Sequence, residues 1–301
     1  MEKLDLSVII LTYNEEIHIR RCLENVCEIA KKVYVVDCFS TDRTTQIAEE
    51  LGVEVIKHKW PGNQAKQFNW ALSNIPISTE WILRLDADEY LTQELIDELY
   101  HVIPTLNKNI SAIVFPLGRA FMGKILKHGI VNGVSMIRMF RRGKAQYENR
   151  AMDEHLQITD GETYTCKNKF VDDNLMPLSH FIVKHNNYAM REAILLIEAE
   201  YSLQKEDDTH SEYAKEVQEK RKQKAKYGKM PLFWRAFAYF VYRYIIKLGF
   251  LDGKEGFLWD FLQGWWYRTL VDAKIFECKK ACGNDRKKIL LYLKEKYNIS
   301  L

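Results

Sequence analysis

The amino-terminal part of the chain alternates short β-branched runs with segments of helical periodicity. Continuous apolar runs at 6–11, 33–37, 53–58 and 80–85 predict strands, and the segments between them predict helices, the first with Asn14 as its N-cap. Strands that alternate with helices pair in parallel through right-handed crossovers. The pattern therefore predicts an α/β fold with a mostly parallel central sheet and flanking helices.

Changes of pattern along the 301-residue chain predict its domain organisation. Residues 1–204 are expected to form one α/β domain, divided into a regular part at 1–110 and a less regular part at 111–204 that ends in a helix from residue 180 onward. Residues 205–229 are densely charged and predict a linker helix. Residues 230–301 predict a helical region rich in aromatic and basic side chains.

Charge and cysteine content exclude several classes of protein. The net charge of +3 does not indicate a nucleic-acid partner. Cys278 and Cys282 are spaced so that they could supply half of the ligands of a zinc site, but no His or Cys pair with matching spacing completes it. The chain has no CxxC pair, and its amino terminus lacks the pattern of a secretory signal, so we expect a reducing cytoplasm. Oligomeric state is not predicted.

The apolar tail at 230–251 is interrupted by Arg235, Arg243 and Lys247. Each charge costs about 2.5 to 3.5 kcal/mol at the centre of a bilayer, so a spanning helix is not expected. Two interpretations remain. The helix lies in the membrane interface with its basic residues toward anionic lipid, or it belongs to an ordinary helical subdomain.

Acidic residues follow three of the predicted strands. Glu15 follows the first, Asp37 ends the second, and Asp86 and Asp88 end the fourth. Carboxyl ends of parallel strands meet at one edge of a sheet, where ligands bind. Carboxylates that converge there repel one another and need a cation or hydrogen-bond donors. The side chains of Asp86 and Asp88 lie on the same side of the strand if the backbone stays extended. This pattern predicts a Mg²⁺ or Mn²⁺ site completed by substrate phosphates, unless Asp86–Glu89 only caps the next helix.

Basic side chains near these strand ends have two interpretations each. Lys66, on the helix before the fourth strand, reaches a phosphate or is solvated. A trio of arginines near a later strand end contacts phosphates or forms a solvated rim: Arg138, Arg141 and Arg142. Neither a GxGxxG fingerprint nor a Walker loop is present, so other phosphate-binding groups are required.

Four ordered segments resemble the inverting family 2 glycosyltransferases of GT-A fold: LSVIILTYNEE, VYVVDCFSTDRT, GNQAKQFNWAL and WILRLDADEYL. Later segments look like the subgroup of lipopolysaccharide core β-1,4-glucosyltransferases: GKILKHGIVNG, MIRMFRRGKAQYENRAMDEHL and KHNNYAMREA. The resemblance implies that 1–110 binds a nucleotide sugar and 111–204 carries the acceptor and catalytic part.

The resemblance also implies roles for individual residues. The nucleobase and ribose pocket would be lined by Thr12, Tyr13 and Glu15, with Asp37 bonded to uracil and Asp42 closing the same loop. Lys66 would face the diphosphate, Asp86 would lie near the ribose, and Asp88 would hold the metal ion.

A catalytic base is implied within RAMDEHL. Alignment on Leu156 matches Asp153 to the family's base, but Met152 replaces the usual acidic partner, so Glu154 remains the alternative. A surface acidic turn is the other interpretation. His155 and His180 either approach the diphosphate or are ordinary packed residues.

Together these expectations describe a metal-dependent enzyme on the cytoplasmic face of the inner membrane, in peripheral contact with it. It would transfer a hexose, with glucose favoured, from a UDP-sugar to a lipid-linked or lipopolysaccharide-core saccharide in β-linkage. The alternatives are a nucleotidyltransferase and a non-catalytic membrane-associated protein that binds sugar nucleotides.

Overall fold

The computed structural model describes residues 2–131, 133–148, 156–201, 227, 230–283 and 285–297. The chain forms two compact units. The first comprises 1–127 with 131–175, and the second comprises 128–130 with 176–301. The helix predicted to end the first domain therefore groups with the second unit.

The strands of the first unit include the four predicted near the amino terminus, each within three residues of its expected start. In chain order they are β1 (Leu4–Thr12), β2 (Ala30–Asp37), β3 (Glu54–Lys57), β4 (Trp81–Asp86), β5 (Glu89–Leu91), β6 (Ile110–Phe121), β7 (Lys124–Leu126), β8 (Ser135–Arg141), β9 (Ala145–Tyr147), β10 (Leu156–Ile158), β11 (Glu162–Thr165) and β12 (Phe170–Asp173). The helices are α1 (Ile19–Cys27), α2 (Thr44–Glu50), α3 (Gln64–Asn74) and α4 (Gln93–Val102), with a 3₁₀ turn at Ile103–Thr105.

The main sheet has the strand order β3-β2-β1-β4-β8-β6-β12-β5, with β7 and β11 also paired to β6. The strands β3, β2, β1 and β4 are mutually parallel, whereas β8 runs antiparallel to β4 and β6. Strands β9 and β10 form a separate antiparallel pair. The parallel half follows from the helical crossovers, and the predicted α/β fold class is confirmed.

Hydrophobic side chains cover both faces of this sheet. Val8 and Ile10 of β1 pack on one face with Leu23 of α1 and Leu95 of α4. Ile9 points to the opposite face, where its cluster includes residues of α3 and Tyr147. The alternation along β1 places successive residues on opposite faces. Because both faces are covered, the strand reads as a continuous apolar run.

The second unit is helical, as predicted for the carboxyl-terminal region. Its helices are α5 (Leu178–Tyr201), α6 (Trp234–Val241), α7 (Gly253–Asp260), α8 (Tyr267–Cys282) and α9 (Arg286–Tyr297), with π-helical turns at Tyr242–Ile246 and Phe261–Trp266 and a 3₁₀ turn at Gly249–Asp252. Its core joins α5, α8 and α9 through Ala193, Ile197, Val271, Ile275 and Ile289.

Two arginines of the predicted tail are buried and paired with aspartates. The Arg235 and Asp272 side chains are 2% and 1% exposed, with 2.5 Å between Nη2 and Oδ1. Arg243 Nε donates to Asp260 Oδ1 at 2.8 Å. Of the two interpretations, the one in which these two arginines face anionic lipid does not hold for them, because both charges are neutralised inside the unit. Lys247 is exposed.

An aromatic patch lies on the surface of this unit. Exposed Phe237, Phe250 and Phe257 are joined through ring contacts with Phe240, Tyr244 and Trp265. Neighbouring positions in the chain expose further aliphatic side chains, namely Ile245, Ile246, Leu248 and Leu251. Among the helices described, none has the length and hydropathy needed to cross a bilayer.

Candidate functional site

The carboxyl ends of β1, β2 and β4 bring the predicted acidic residues to one edge of the sheet. Thr12 of β1 is in register with Asp37 of β2, and Leu11 is in register with Asp86 of β4. Asp37 and Asp86 therefore flank the end of β1 on its two sides. This is the position at which open parallel sheets bind their ligands.

A pocket of about 520 Å³ opens at this edge, lined by Leu11, Thr12, Tyr13, Glu15, Cys38, Trp60 and Gln64. Its volume lies in the range of small-molecule sites. Thr12, Tyr13 and Glu15 were predicted from the sequence, whereas Trp60 and Gln64 were not. Tyr13 and Trp60 are 59% and 48% exposed, so two aromatic rings are accessible at the pocket.

Asp37 lies behind the pocket wall. Its side chain is fully buried, and Oδ1 accepts hydrogen bonds from the hydroxyls of Thr12 at 2.9 Å and Ser40 at 2.5 Å. Its Oδ2 accepts from the Ser40 backbone N–H at 2.8 Å. The sequence predicted a direct contact with a nucleobase, but among the described residues Asp37 does not line the pocket. It positions Thr12, which does.

The loops after β1 and β2 are tied together by Asn14. Asn14 has a φ of 56° and does not cap a helix, because α1 begins later, at Ile19, after His18. Its Oδ1 accepts from the Thr41 N–H at 2.8 Å, and its own N–H donates to Ser40 Oγ at 2.8 Å. The N-cap prediction is therefore wrong, since asparagine also suits left-handed positions.

Asp42 also links the loops after β1 and β2. Its carboxylate accepts from the Thr44 backbone and hydroxyl at 2.9 and 2.5 Å, and from the Glu16 N–H at 3.1 Å. Burial opposes ionisation of Asp42, but these hydrogen bonds outweigh it and lower its pKa. Asp42 thus supports the pocket from outside its wall.

Glu15 is oriented by a buried histidine. His18 Nδ1 lies 2.6 Å from Glu15 Oε2, and His18 Nε2 lies 2.9 Å from the Leu175 backbone N. The Leu175 N–H can only donate, so Nε2 carries a lone pair and the proton sits on Nδ1, donating to Glu15. The Glu15 carboxylate is thereby fixed at the pocket as an acceptor.

Lys66 lies in the first turn of α3, where its backbone N–H donates to Asn63 Oδ1 at 2.8 Å. The residue is exposed. It does not line the pocket, which is reached from the same helix turn by Gln64. Contact between Lys66 and a phosphate remains a prediction.

The negative charge of Asp86 is compensated by two nearby arginines. It lies 3.3 Å from Arg84 Nη2 and 4.0 Å from Arg138 Nη2, and each of these arginines is 7% exposed in its side chain. Arg84 also stacks over the rings of Phe68 and Tyr147. These contacts place two buried cations beside the strand end.

The three arginines at the end of β8 differ in exposure, since Arg138 is buried, Arg141 is half-buried and Arg142 is exposed. Arg138 is buried and forms an ion pair with Glu89. Arg141 pairs with Glu80 and donates to the Ile110 carbonyl, while Arg142 donates to the Ile77 carbonyl. Burial raises the pKa of Glu89 despite its arginine partner. The pattern of hydrophobic residues in the sequence could not reveal the buried pair of Arg138 and Glu89.

Asp88 contacts different residues from those that contact Asp86. The backbone turns at Ala87 and Asp88, so the extended alternation assumed for the two aspartates does not hold. Asp88 Oδ2 accepts from Asn174 Nδ2 at 3.0 Å, and its carbonyl accepts from the Asp173 N–H at 2.9 Å and from Arg21 at 3.2 Å. Asp88 is partly exposed at the edge of β12.

The chemistry of these donors fits a metal ion shared with a ligand. In the part of the chain described, no three His, Cys, Asp or Glu side chains are grouped to hold an ion. A partly exposed carboxylate such as Asp88 suits Mg²⁺ or Mn²⁺, which use one or two carboxylates and complete their shells with water and phosphate.

The predicted catalytic bases Asp153 and Glu154 lie outside the described residues, as does His155. His180 is exposed in the first turn of α5, in the second unit. The structure therefore describes the strand-end residues of the predicted site and leaves its base a prediction.

The parallel strand ends, the pocket and the acidic residues define an α/β protein with a small-molecule site. Residues 7–195 match the family model described as Glycosyl transferase family 2. The match covers more than half of the chain, so this protein belongs to that family. The family prediction is confirmed, while the likeness to lipopolysaccharide core enzymes remains a prediction.

Curated relatives share part of the chain. An uncharacterized glycosyltransferase of Rickettsia bellii is 38% identical over 104 residues, which cover 35% of this chain and 34% of the relative. Glycosyltransferase SunS of Bacillus subtilis is 28% identical over 162 residues, or 51% of this chain and 36% of SunS. The chain thus spans about a third of the length of these relatives.

Solved structures with similarity include S. aureus TarS 1–349, with a TM-score of 0.43 and 16% identity over 98% of this chain and 92% of that one. Glucosyl-3-phosphoglycerate synthase from Mycobacterium tuberculosis, in complex with Mn²⁺, UDP and glucosyl-3-phosphoglycerate, has a TM-score of 0.32 and 18% identity over 40% of this chain and 45% of that one.

Proposed function

We propose that this glycosyltransferase moves a hexose, with glucose favoured, from a UDP-sugar to a hydroxyl of a lipid-linked or lipopolysaccharide-core saccharide, forming a β-linkage. The observation that carries the proposal is that Thr12, Tyr13 and Glu15 line one pocket at the carboxyl ends of parallel strands. Family membership supplies the reaction class.

The donor nucleotide would occupy this pocket. Tyr13 and Trp60 offer aromatic surface to a base, and the fixed Glu15 carboxylate can accept hydrogen bonds from ribose hydroxyls. Asp86 would lie near the ribose, and Lys66 would face the diphosphate. Asp88 would hold Mg²⁺ or Mn²⁺, and a bound ion of this kind supplies positive charge to the departing diphosphate.

Transfer requires a base for the acceptor hydroxyl. Asp153, with Glu154 as the alternative, would accept the hydroxyl proton as the oxygen bonds to C1 of the sugar. The bond from C1 to the phosphate oxygen breaks in the same displacement, and UDP leaves with its electron pair. A single displacement inverts C1, so an α-linked donor yields a β-linked product.

A panel of nucleotide sugars incubated with Mn²⁺ tests the donor assignment. We expect more nucleoside diphosphate to be released from a UDP-hexose than from GDP- or CDP-sugars. Asp153→Asn should retain UDP binding and lose transfer, and an active variant would move the base to Glu154. Release from GDP- or CDP-sugars alone would reject the proposed donor.

The aromatic patch supports peripheral contact with the cytoplasmic face of the inner membrane. The buried pairs of Arg235 and Arg243 keep their charges off the patch, while the exposed Lys247 and Lys254 offer cations to anionic lipid. A surface helix of this kind holds an enzyme near a lipid-linked acceptor.

Vesicle flotation tests this contact. Wild type should float with vesicles of phosphatidylglycerol and phosphatidylcholine, and Ile246→Glu should reduce recovery severalfold, because Ile246 is 64% exposed. Leu291→Glu is the matched control, since Leu291 is 55% exposed on α9, outside the patch. Equal recovery of all three proteins, or none for the wild type, would reject the membrane surface.

A further inference from the structure

The short strands β9 and β10 hold the two ends of the segment that contains Asp153 and Glu154. Within the described chain they pair only with each other, with Tyr147 opposite Leu156. Asp153 lies six residues after Tyr147 and three before Leu156 in the sequence. No ladder of the main sheet fixes this pair of strands among the described residues, so side-chain contacts must fix the place where the segment begins and ends.

Asn69 of α3 binds both backbone groups of Tyr147. Its Nδ2 donates to the Tyr147 carbonyl at 2.8 Å, and its Oδ1 accepts from the Tyr147 N–H at 2.9 Å. In an antiparallel pair, both backbone groups of a residue face either the partner strand or the outer edge. Those of Tyr147 therefore face away from β10. The Asn69 amide, which has both a donor and an acceptor, takes the place of a neighbouring strand.

The ring of Tyr147 is fixed as well. It is buried in the cluster that contains Ile9, and it lies edge-on to Phe68 of α3, with 5.4 Å between the ring centroids. The Arg84 guanidinium lies over the ring, 4.6 Å from its centroid. Arg84 Nη2 is also 3.3 Å from Oδ1 of Asp86, at the end of β4. The backbone and ring contacts together hold Tyr147 against α3 and β4.

The helix that holds Tyr147 also reaches the pocket at the strand ends. Gln64, in the first turn of α3, lines the pocket, and Asn69 follows it by five residues. At a rise of 1.5 Å per residue, about 7.5 Å of helix separates the two. Ala65, Phe68 and Ala71 are fully buried, so packing fixes the helix in place. Helix α3 is therefore a rigid spacer between the pocket and Tyr147.

We propose that Asn69 is a positioning residue for sugar transfer, which sets the distance between the pocket and the carboxylate that acts as the base. The inference rests on the proposed function, in which Asp153 or Glu154 accepts the proton of the attacking hydroxyl. The described residues that line the pocket do not include Asn69. An error of about 1 Å in the place of a reacting group can cost about a hundredfold in rate. Asn69 should therefore affect the rate of transfer and not the binding of the donor.

Kinetics and titration calorimetry on Asn69→Ala test the proposal. The probe is UDP release with Mn²⁺ from UDP-glucose, or from the UDP-hexose that the nucleotide-sugar panel prefers, with water in place of the acceptor hydroxyl. Asn69→Ala should lower kcat about ten- to hundredfold. The KM for the donor and the affinity for UDP should each change by less than about twofold, because the pocket lining is intact.

Asn25→Ala is the matched control. Asn25 of α1 makes the same pair of bonds with another strand residue: its Nδ2 donates to the Leu91 carbonyl at 3.0 Å, and its Oδ1 accepts from the Leu91 N–H at 2.8 Å. Leu91 belongs to β5 and not to the strands that flank Asp153. Both alanine variants should therefore lower the melting temperature to a similar extent, whereas Asn25→Ala should keep kcat within about twofold of the wild type.

A double-mutant cycle distinguishes positioning of the base from a general structural role. The base is first removed by Asp153→Asn or, if that variant stays active, by Glu154→Gln. If Asn69 acts through the base, adding Asn69→Ala to this variant should change the residual rate of UDP release by less than about twofold. A general structural role would lower the residual rate by the same factor as in the wild type, because independent effects multiply.

The outcomes are distinct. The inference is overturned if Asn69→Ala keeps the wild-type kcat, if it weakens UDP binding as much as it lowers kcat, or if its effect is equal with and without the base. Each of these results leaves the proposed function intact. Folded wild type that releases UDP from no UDP-hexose rejects the proposed function, and the inference with it. If Asn69→Ala does not fold, Asn69→Asp replaces it, since a carboxylate keeps the acceptor for the Tyr147 N–H and loses only the donor.

Discussion

Removing Asp272 should destabilise the helical unit severely. Asp272 is 1% exposed in its side chain and accepts three hydrogen bonds, from the Phe233 N–H at 2.6 Å and from Arg235 Nε and Nη2 at 2.8 and 2.5 Å. Asp272→Asn leaves the buried Arg235 without a counter-charge. Breaking a buried ion pair in this way costs about 3 to 5 kcal/mol.

The double variant Arg235→Met/Asp272→Leu should be far milder. It removes both charges and replaces them with apolar side chains, an exchange that is often neutral. The Phe233 N–H still loses its acceptor, which costs about 1 to 3 kcal/mol. We therefore expect the double variant to recover about 2 kcal/mol of what Asp272→Asn loses, which is the difference between the midpoints of these two ranges.

Urea denaturation followed by tryptophan fluorescence measures the difference. Four of the seven tryptophans lie in the second unit: Trp234, Trp259, Trp265 and Trp266. Because the chain has two units, the transition midpoint of this signal is compared rather than one global free energy. If Asp272→Asn has the same transition midpoint as the wild type, or if the double variant has a midpoint as low as that of Asp272→Asn, the explanation that Arg235 is neutralised in a buried ion pair is refuted.

Two other changes probe the fold around the sites. Gly249→Ala should destabilise the second unit by about 3 kcal/mol or more, because an added Cβ would lie 1.9 Å from Asp260 Oδ2. Gly52→Ala, at φ +71° with open space around it, is the control and should cost only about 1 to 2 kcal/mol in thermal melts. An equal loss in both would discount the Asp260 contact. Asp42 has a lowered pKa, so its contribution to stability is present above its ordinary pKa of 3.8 and is lost as pH falls through the lowered value. Asp42→Asn should therefore flatten the acid limb of a pH series of melts, and an unchanged limb would contradict the role of its hydrogen bonds.

The parallel half of the sheet was predictable because its strands are buried on both faces. Buried parallel strands read as continuous apolar runs, and the runs at 6–11 and 33–37 lie within β1 and β2. Helix starts were less predictable. Asn14 suits both an N-cap and a left-handed turn, and the contacts with Ser40 and Thr41 in the loop after β2 select the turn.

The site was predictable in its strand-end residues and not in the groups behind them. Thr12, Tyr13 and Glu15 follow from a motif. Trp60 lies outside the quoted segments, and Gln64 lies within GNQAKQFNWAL but was assigned no role there. The burial of the arginines was harder to predict from the sequence, because a charged side chain is expected at the surface unless its partner is known. The partner of Arg235 lies 37 positions away, and local spacing does not reveal it.

Binding of UDP with and without Mn²⁺ to wild type and Asp88→Ala tests the central assignment most directly. Asp88 is the partly exposed carboxylate proposed to hold the ion, and its removal leaves the pocket of Thr12 and Glu15 in place. We expect tight UDP binding only with Mn²⁺ in the wild type, and at least a tenfold loss in Asp88→Ala. Binding of equal strength without the metal, or an unaffected Asp88→Ala, would contradict the assignment.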